Sequence, residues 1–288
     1  MPLALEQDNS FNTTMAAVFT GVLPWHQMDS DATAFYRQVL RALNADGIPF
    51  LVGGAFAFAH YTGIHRDTKD LDLFIRRADY ERIETSMAKF GYHTELTFPH
   101  WLAKVHCGEN FVDLIFNSGN GLSPVEDDWF RHASDSEVLG EPVLVCPAEE
   151  SLWTKAFIME RERYDGADVA HLLKACAADM DWMRLRDRFG THWRVLLSHL
   201  VLFGFIYPGE RALMPPWLLH ELMDRLRHES KLPAPETQVC AGTLLSREQY
   251  LPDTREQGYE DGRVPFGTMS EKDVEDWTKA IPPKPPAG

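Results

Sequence analysis

The chain reads as an α+β protein: a head of strands flanked by helices, then a helical part, then a proline-rich tail. Three observations carry that reading. Short apolar runs punctuated by glycine alternate with helix-period segments up to residue 147. From residue 148 the apolar residues recur at helical spacing alone. After residue 231 prolines become dense, at positions 233, 235, 252, 265, 282, 283, 285 and 286, which favours extended chain packed in patches. The expected organisation is an N-terminal arm over 1–30, a head over 31–147, a helical domain over 148–230 and the tail over 231–288.

The elements follow in order. The arm is irregular, with one short helix expected near residues 14–20. Phe35, Val39, Leu40 and Leu43 recur at helical spacing, with Asp31 or Thr33 as a cap and Gly47 as a stop. Residues 48–52 form a short buried strand, and Gly53-Gly54 turns the chain into a helix of small and aromatic residues ending near Gly63. A second strand covers 71–75, and a helix over 80–90 is closed by Gly91. Strands are expected at 93–97, 103–106, 111–116 and 142–145, the second and third joined by the turn Cys107-Gly108-Glu109-Asn110. Helices are expected over 148–162, 167–178, 182–189, 193–205 and 217–228. The Trp and Phe residues of the later helices are read as core packing.

Composition narrows the functional classes. With 28 basic and 43 acidic residues the formal net charge is −15, which disfavours nonspecific binding to a phosphate backbone and argues against DNA. Four dispersed cysteines form no CxxC pair, and twelve scattered histidines show no zinc spacing. The apolar run over 195–207 contains His199 and is too short to span a membrane. Acidic residues at Glu6 and Asp8 do not suit a secretory leader, so a cytoplasmic location is expected.

The stretch Arg66-Asp67-Thr68-Lys69-Asp70-Leu71-Asp72 carries the chemistry. Alternation along a strand puts Asp70, Asp72 and Phe74 on one face and Leu71 and Leu73 on the other. The two carboxylates then lie about 6.6 Å apart along the strand. Held at the edge of a core, they repel each other and lose hydration, and a divalent cation with a taste for oxygen ligands relieves both effects. Asp113, inside the apolar run Phe111-Val112-Asp113-Leu114-Ile115-Phe116, is a third acid that needs a partner. A Gly-Gly turn opening a helix suits an anion such as a triphosphate. The turn is neither a Walker loop nor a dinucleotide fingerprint.

Gly53-Gly54, a DxD pair one helix later and an acid on a following strand resemble the nucleotidyltransferase superfamily. The texture is similar to aminoglycoside and lincosamide nucleotidyltransferases and to abortive-infection-type nucleotidyltransferase toxins, over roughly residues 33 to 175. The resemblance implies a nucleotidyltransferase-type mixed sheet flanked by helices, with 31–147 as the catalytic domain. It implies Gly53 and Gly54 on the nucleotide phosphates, and Asp70 and Asp72 holding Mg²⁺ on the triphosphate of an NTP, with ATP expected and two ions at the site. Asp113 would complete the metal site and help deprotonate the acceptor hydroxyl, and attack at the α-phosphorus would release pyrophosphate. Arg66 and Thr68 are either phosphate contacts or solvated loop residues. Lys155 would reach the phosphates as a point charge, while Asp165 and Asp168 also suit a helix cap and a first helical turn. The second half matches no substrate-binding domain of the antibiotic-modifying relatives, so the acceptor stays open, with a small molecule or protein favoured over RNA on charge.

Two rivals compete. A glycosyltransferase would need a longer nucleotide-binding half ahead of its DxD than the seventy residues before Asp70. A catalytically silent nucleotidyltransferase fold, acting as a binding or toxin–antitoxin module, has no evident reason to keep three partly buried acids.

Overall fold

The computed structural model describes residues 30–66 and 68–281. The expected arm, apart from Ser30, its helix near 14–20 and the four closing prolines lie outside the described residues, as does Asp67.

A seven-stranded mixed sheet organises the head, in the order β3-β4-β5-β2-β1-β7-β6. Its central strands are β1 (Leu51–Val52), β2 (Leu71–Phe74), β5 (Asn110–Ile115) and β7 (Glu141–Val145). The outer ones are β3 (His93–Phe98), β4 (Leu102–Cys107) and β6 (Ser134–Val138). β2 runs parallel to β5 and antiparallel to β1, and β1 runs parallel to β7. The turn at Gly108 joins β4 to β5 in an antiparallel hairpin, as the sequence predicts.

The two faces of the sheet bury different helices because the strand side chains alternate. Leu71, Leu73, Val112 and Leu114 are fully buried with Phe35, Val39, Leu40 and Leu43 of α1 (Ser30–Ala45) and Ile83 and Met87 of α3 (Tyr80–Ala88). Leu51 and Phe74 face the other way, into a core shared with Phe58 of α2 (Gly54–Thr62), Trp129 of α4 (Asp127–Arg131) and Leu152 of α5 (Ala148–Ala156). Each fully buried Leu contributes roughly 1.5–3 kcal/mol. The alternation turns the face bearing Asp70, Asp72 and Phe74 away from α1 and α3.

The same second core continues through α6 (Gly166–Cys176), α7 (Trp182–Phe189), α8 (Trp193–Ile206) and α9 (Pro216–Glu229). Trp193 and Phe203 are buried in it, in keeping with a packing role, whereas Trp217 is 42% exposed. His199 of α8 is buried, its ring set against the Ala156 carbonyl at 2.9 Å.

Three elements depart from the sequence reading. The helix predicted over 148–162 ends at Ala156, and the chain then makes a small antiparallel bridge, Met159 to Tyr164, before α6. The amide of Met159 donates to Leu245 O, so a distant segment holds the chain out of the helix. β6, with the polar sequence Ser134–Val138, is an edge strand that pairs on one side only. The tail is not simply extended: between residues 239 and 281 it forms β8 (Val239–Cys240), α10 (Leu251–Glu256), β9 (Glu260–Asp261) and α11 (Glu271–Lys279). Pro252 falls in the first turn of α10, where a missing N–H breaks no helical hydrogen bond.

A buried ion cluster ties α7 to α5 and α4. Glu150, with no exposed surface, accepts from Arg184 at 2.5 Å and Arg188 at 2.9 Å, and Arg188 reaches Asp128 on α4 at 2.7 Å. Removing one member of such a buried set leaves the others uncompensated. Glu150→Ala is expected to lower the unfolding free energy by about 3–5 kcal/mol, read from chemical denaturation; a loss within experimental error would show the cluster to be dispensable.

Candidate active site

Parallel pairing of β2 with β5 sets Asp72 directly beside Asp113, and Asp70 stands at the entry to β2 on the same face. Oxygen atoms of Asp70, Asp72 and Asp113 all lie within 4.8 Å of one another. Three carboxylates so close repel, and burial adds to the cost of ionising two of them. Burial pushes Asp72 from 3.8 up to about 7, with Asp70 and Asp113 adding to the rise and Lys155 and Arg163 opposing it. Asp113 is also raised, first by burial, against the pull of Lys104. Lys104 sits opposite Asp113 on β4 and donates to Asp113 Oδ1 at 2.5 Å. Thr68 orients Asp70, its hydroxyl donating to Oδ1 at 2.7 Å.

The glycines serve two different ends. Gly54 has φ +53, and a Cβ there would stand 1.7 Å from Asp72 Oδ2, so only glycine lets α2 begin against that carboxylate. Gly54 and Ala55 line the cleft at the start of α2, where the first N–H groups of a helix have no partner within it. Gly53 departs from the expected phosphate contact. Its N–H is donated to Asp72 O at 2.9 Å, and the space a side chain would need is filled by the Phe74 ring.

The cleft above the carboxylates has a volume of about 710 Å³. On the α2 side it is lined by Arg66, Lys155, Arg163, Asp165 and Asp168. Lys155 donates to Asp168 at 2.8 Å and to Asp165 at 3.4 Å. Arg66 pairs with Asp168 at 2.6 Å and lies 4.5 Å over the Phe58 ring, so it is held rather than merely solvated. Arg163 grips Asp165 through two nitrogens, at 2.9 and 3.0 Å. Asp165 occupies the N-cap position of α6 but makes no side-chain cap there, which corrects the capping alternative: its carboxylate serves the cations instead.

The structure thus brings Asp70, Asp72, Asp113, Gly54, Arg66, Thr68 and Lys155 to one cleft and leaves Gly53 beneath it. Sequence reading missed Lys104, Arg163 and the far wall of the cleft, formed by Trp101, Asn117 to Asn120, Thr243 to Arg247 and Trp277. The signal for Lys104 was present, because a hairpin turning at Gly108 pairs residue 104 with 113.

A mixed sheet with carboxylates on two parallel neighbours and a glycine-led helix above them has the layout of a nucleotidyltransferase. Residues 27–198 match the family described as Uncharacterised nucleotidyltransferase, and the chain belongs to it. No curated protein matches the chain by sequence. Among solved structures it is similar to the antibiotic-resistance factor ANT(2'')-Ia, at 18% identity, over 60% of this chain and 98% of that one, with a TM-score of 0.40. It is also similar to the lincosamide antibiotic adenylyltransferase LnuA, at 15% identity over 50% of this chain and 96% of that one (TM-score 0.35). An antigenic nucleotidyltransferase-like protein from Paracoccidioides brasiliensis aligns at 15% identity over 60% of this chain and 93% of that one (TM-score 0.36). At such scores the family match alone carries the assignment.

The donor set fits a hard divalent cation: it is all oxygen, clustered, and short of positive charge at Asp72. Without a cation, the protonated form of Asp72 is the one the fold favours. A carboxyl raised in the native state stabilises the fold below its unfolded value, about pH 4, and that contribution is lost as pH rises through about 7. Asp72→Asn is therefore expected to gain stability relative to the wild type between about pH 4 and 7 in cation-free buffer, measured by denaturation at matched pH. A constant difference between the two proteins across that window would contradict it. Gly54→Ala is expected to cost roughly 1–2 kcal/mol for the left-handed backbone alone, plus displacement of Asp72. Chemical denaturation of the two proteins checks it.

Proposed function

We propose that this chain is a metal-dependent nucleotidyltransferase that moves a nucleoside monophosphate from an NTP, with ATP the expected donor, to an acceptor hydroxyl. The observation that carries the proposal is the convergence of Asp70, Asp72 and Asp113 within 4.8 Å beside the start of α2. Asp70, Asp72 and Asp113 would hold Mg²⁺, two ions by the family's habit. Bound there, the metal supplies the positive charge that neutralises the triphosphate.

The chain's own groups account for the remaining work. The first turn of α2 receives the phosphates on its N–H groups, with Lys155 and Arg66 as cations alongside. Both cations are already fixed by Asp168, so little side-chain freedom is lost when the nucleotide enters. The acceptor oxygen bonds to the α-phosphorus, the bond from that phosphorus to the bridging oxygen breaks, and pyrophosphate leaves with the electron pair. The acceptor's proton would pass to the Asp113 carboxylate, which lines the cleft. The net charge of −15 favours a small molecule or a protein over RNA as the acceptor.

The test is label transfer from α-phosphate-labelled NTPs, with pyrophosphate release followed in parallel. Asp70→Asn and Asp72→Asn are each expected to reduce turnover by more than the roughly 10–100-fold that outer partners of metal ligands command. Turnover that survives both substitutions would remove the proposed site, and absence of metal-dependent NTP binding in the wild type would favour the silent binding module.

A further inference from the structure

Thr243 to Arg247 and Trp277 of the far wall lie beyond the 27–198 family match, and the chemistry of this wall differs from that of the α2 side. Trp277 of α11 packs edge-on against Trp101 at 5.2 Å and Phe98 at 4.7 Å, while the Arg247 guanidinium lies 4.4 Å over the Trp277 ring. The wall is firmly seated. Asn120 donates to Leu244 O at 2.7 Å, Thr268 N donates to Gly121 O at 3.0 Å, and the amide of Arg247 donates to Glu160 at 3.2 Å. Behind it, the almost fully buried Arg263 pairs with Asp261 at 2.6 Å.

Arg247 stands apart from the other cations of the cleft. Arg66, Lys155 and Arg163 each pair with Asp165 or Asp168, whereas among the described residues Arg247 has no carboxylate within ion-pair distance. A half-buried guanidinium stacked on an indole, its N–H fork unmatched by an acid, is built to take an anion.

Position adds the second argument. In the sheet, α2 rises beside β1 and β2, while Trp101 precedes β4 on the opposite side of Asp113. Ile115, which lines the cleft toward this wall, lies two residues past Asp113, about 6.6 Å along the strand. Phosphoryl transfer needs the attacking and leaving oxygens roughly in line through phosphorus. With a triphosphate lying on α2, pyrophosphate leaves by that side, and the acceptor must enter from the side of Arg247.

We propose that Arg247, stacked on Trp277, selects the acceptor, and that the acceptor is a small hydroxylated molecule bearing an anionic group, a phosphate or a carboxylate. This rests on the nucleotidyltransferase reading for the direction of attack. The cleft of about 710 Å³, closed on this side by a seated wall, suits a small molecule.

The experiment titrates full-length protein with glucose 6-phosphate, glucuronate, glucose and glucosamine, following tryptophan fluorescence, with and without Mg²⁺ and a non-hydrolysable ATP analogue. At least one anionic sugar is expected to bind about tenfold or more tighter than glucose and glucosamine, as a charge-assisted hydrogen bond implies. Comparison of glucose 6-phosphate with glucuronate distinguishes phosphate from carboxylate. Arg247→Gln is expected to erase the preference and Arg247→Lys to restore part of it, with affinity for the ATP analogue unchanged in both. Equal or tighter binding of glucosamine, no binding of either anion, or a loss confined to the ATP analogue in Arg247→Gln would each overturn the proposal. Failure of the wild type to bind the ATP analogue would instead sink the nucleotidyltransferase reading, since the anion preference is also read in nucleotide-free protein.

Discussion

The parallel register of β2 on β5 is the constraint from which the site follows. By pairing Asp72 with Asp113 it forces two carboxylates side by side on a face that the sheet's helices partly bury. A sheet tolerates like charges opposite one another only when something else neutralises them. The neighbouring features answer that demand: Lys104 closes on Asp113 from β4, and Thr68 donates to Asp70. Leu71 and Leu73, fully buried on the reverse face, resist a slip of register, because a shift of one residue would turn them into the cleft and the acids into the core.

The charged residues on the α2 side form a second, self-contained arrangement. Arg66, Lys155 and Arg163 carry three positive charges against the two of Asp165 and Asp168. An excess of one positive charge remains beside the start of α2. The partners are fixed at hydrogen-bond distance, so an incoming anion meets oriented donors, not solvated side chains that must be gathered.

Much of the centre of the fold was legible in the sequence, and the reasons are local. Gly53-Gly54, the alternation through Asp70 to Phe74 and the hairpin turn at Gly108 each impose their conformation over a few residues. The face on which Asp113 would lie could be read from alternation, but its pairing with β2 could not, since nothing short-range encodes a contact across some forty residues. The early end of α5 was hidden because it depends on Leu245, nearly a hundred residues away, accepting from Met159. β6 was missed because an edge strand with the sequence Ser-Asp-Ser-Glu-Val shows little apolar alternation. Prolines in the tail were read as marking extended chain, although Pro252 falls in the first turn of a helix. The stretch ending at Arg247 suggested no role in the sequence and Trp277 none either, because their meaning lies in what they pack against.

The seating of the far wall has a consequence for how the molecule comes into being. The three carboxylates precede Trp277 in the chain by more than half its length. At synthesis rates of about 5–20 residues per second, roughly ten to thirty seconds separate the emergence of Asp113 from that of Trp277. During that interval Phe98 and Trp101 lack the ring that packs edge-on against them. Among the described residues, the wall of the cleft is completed last, with α11.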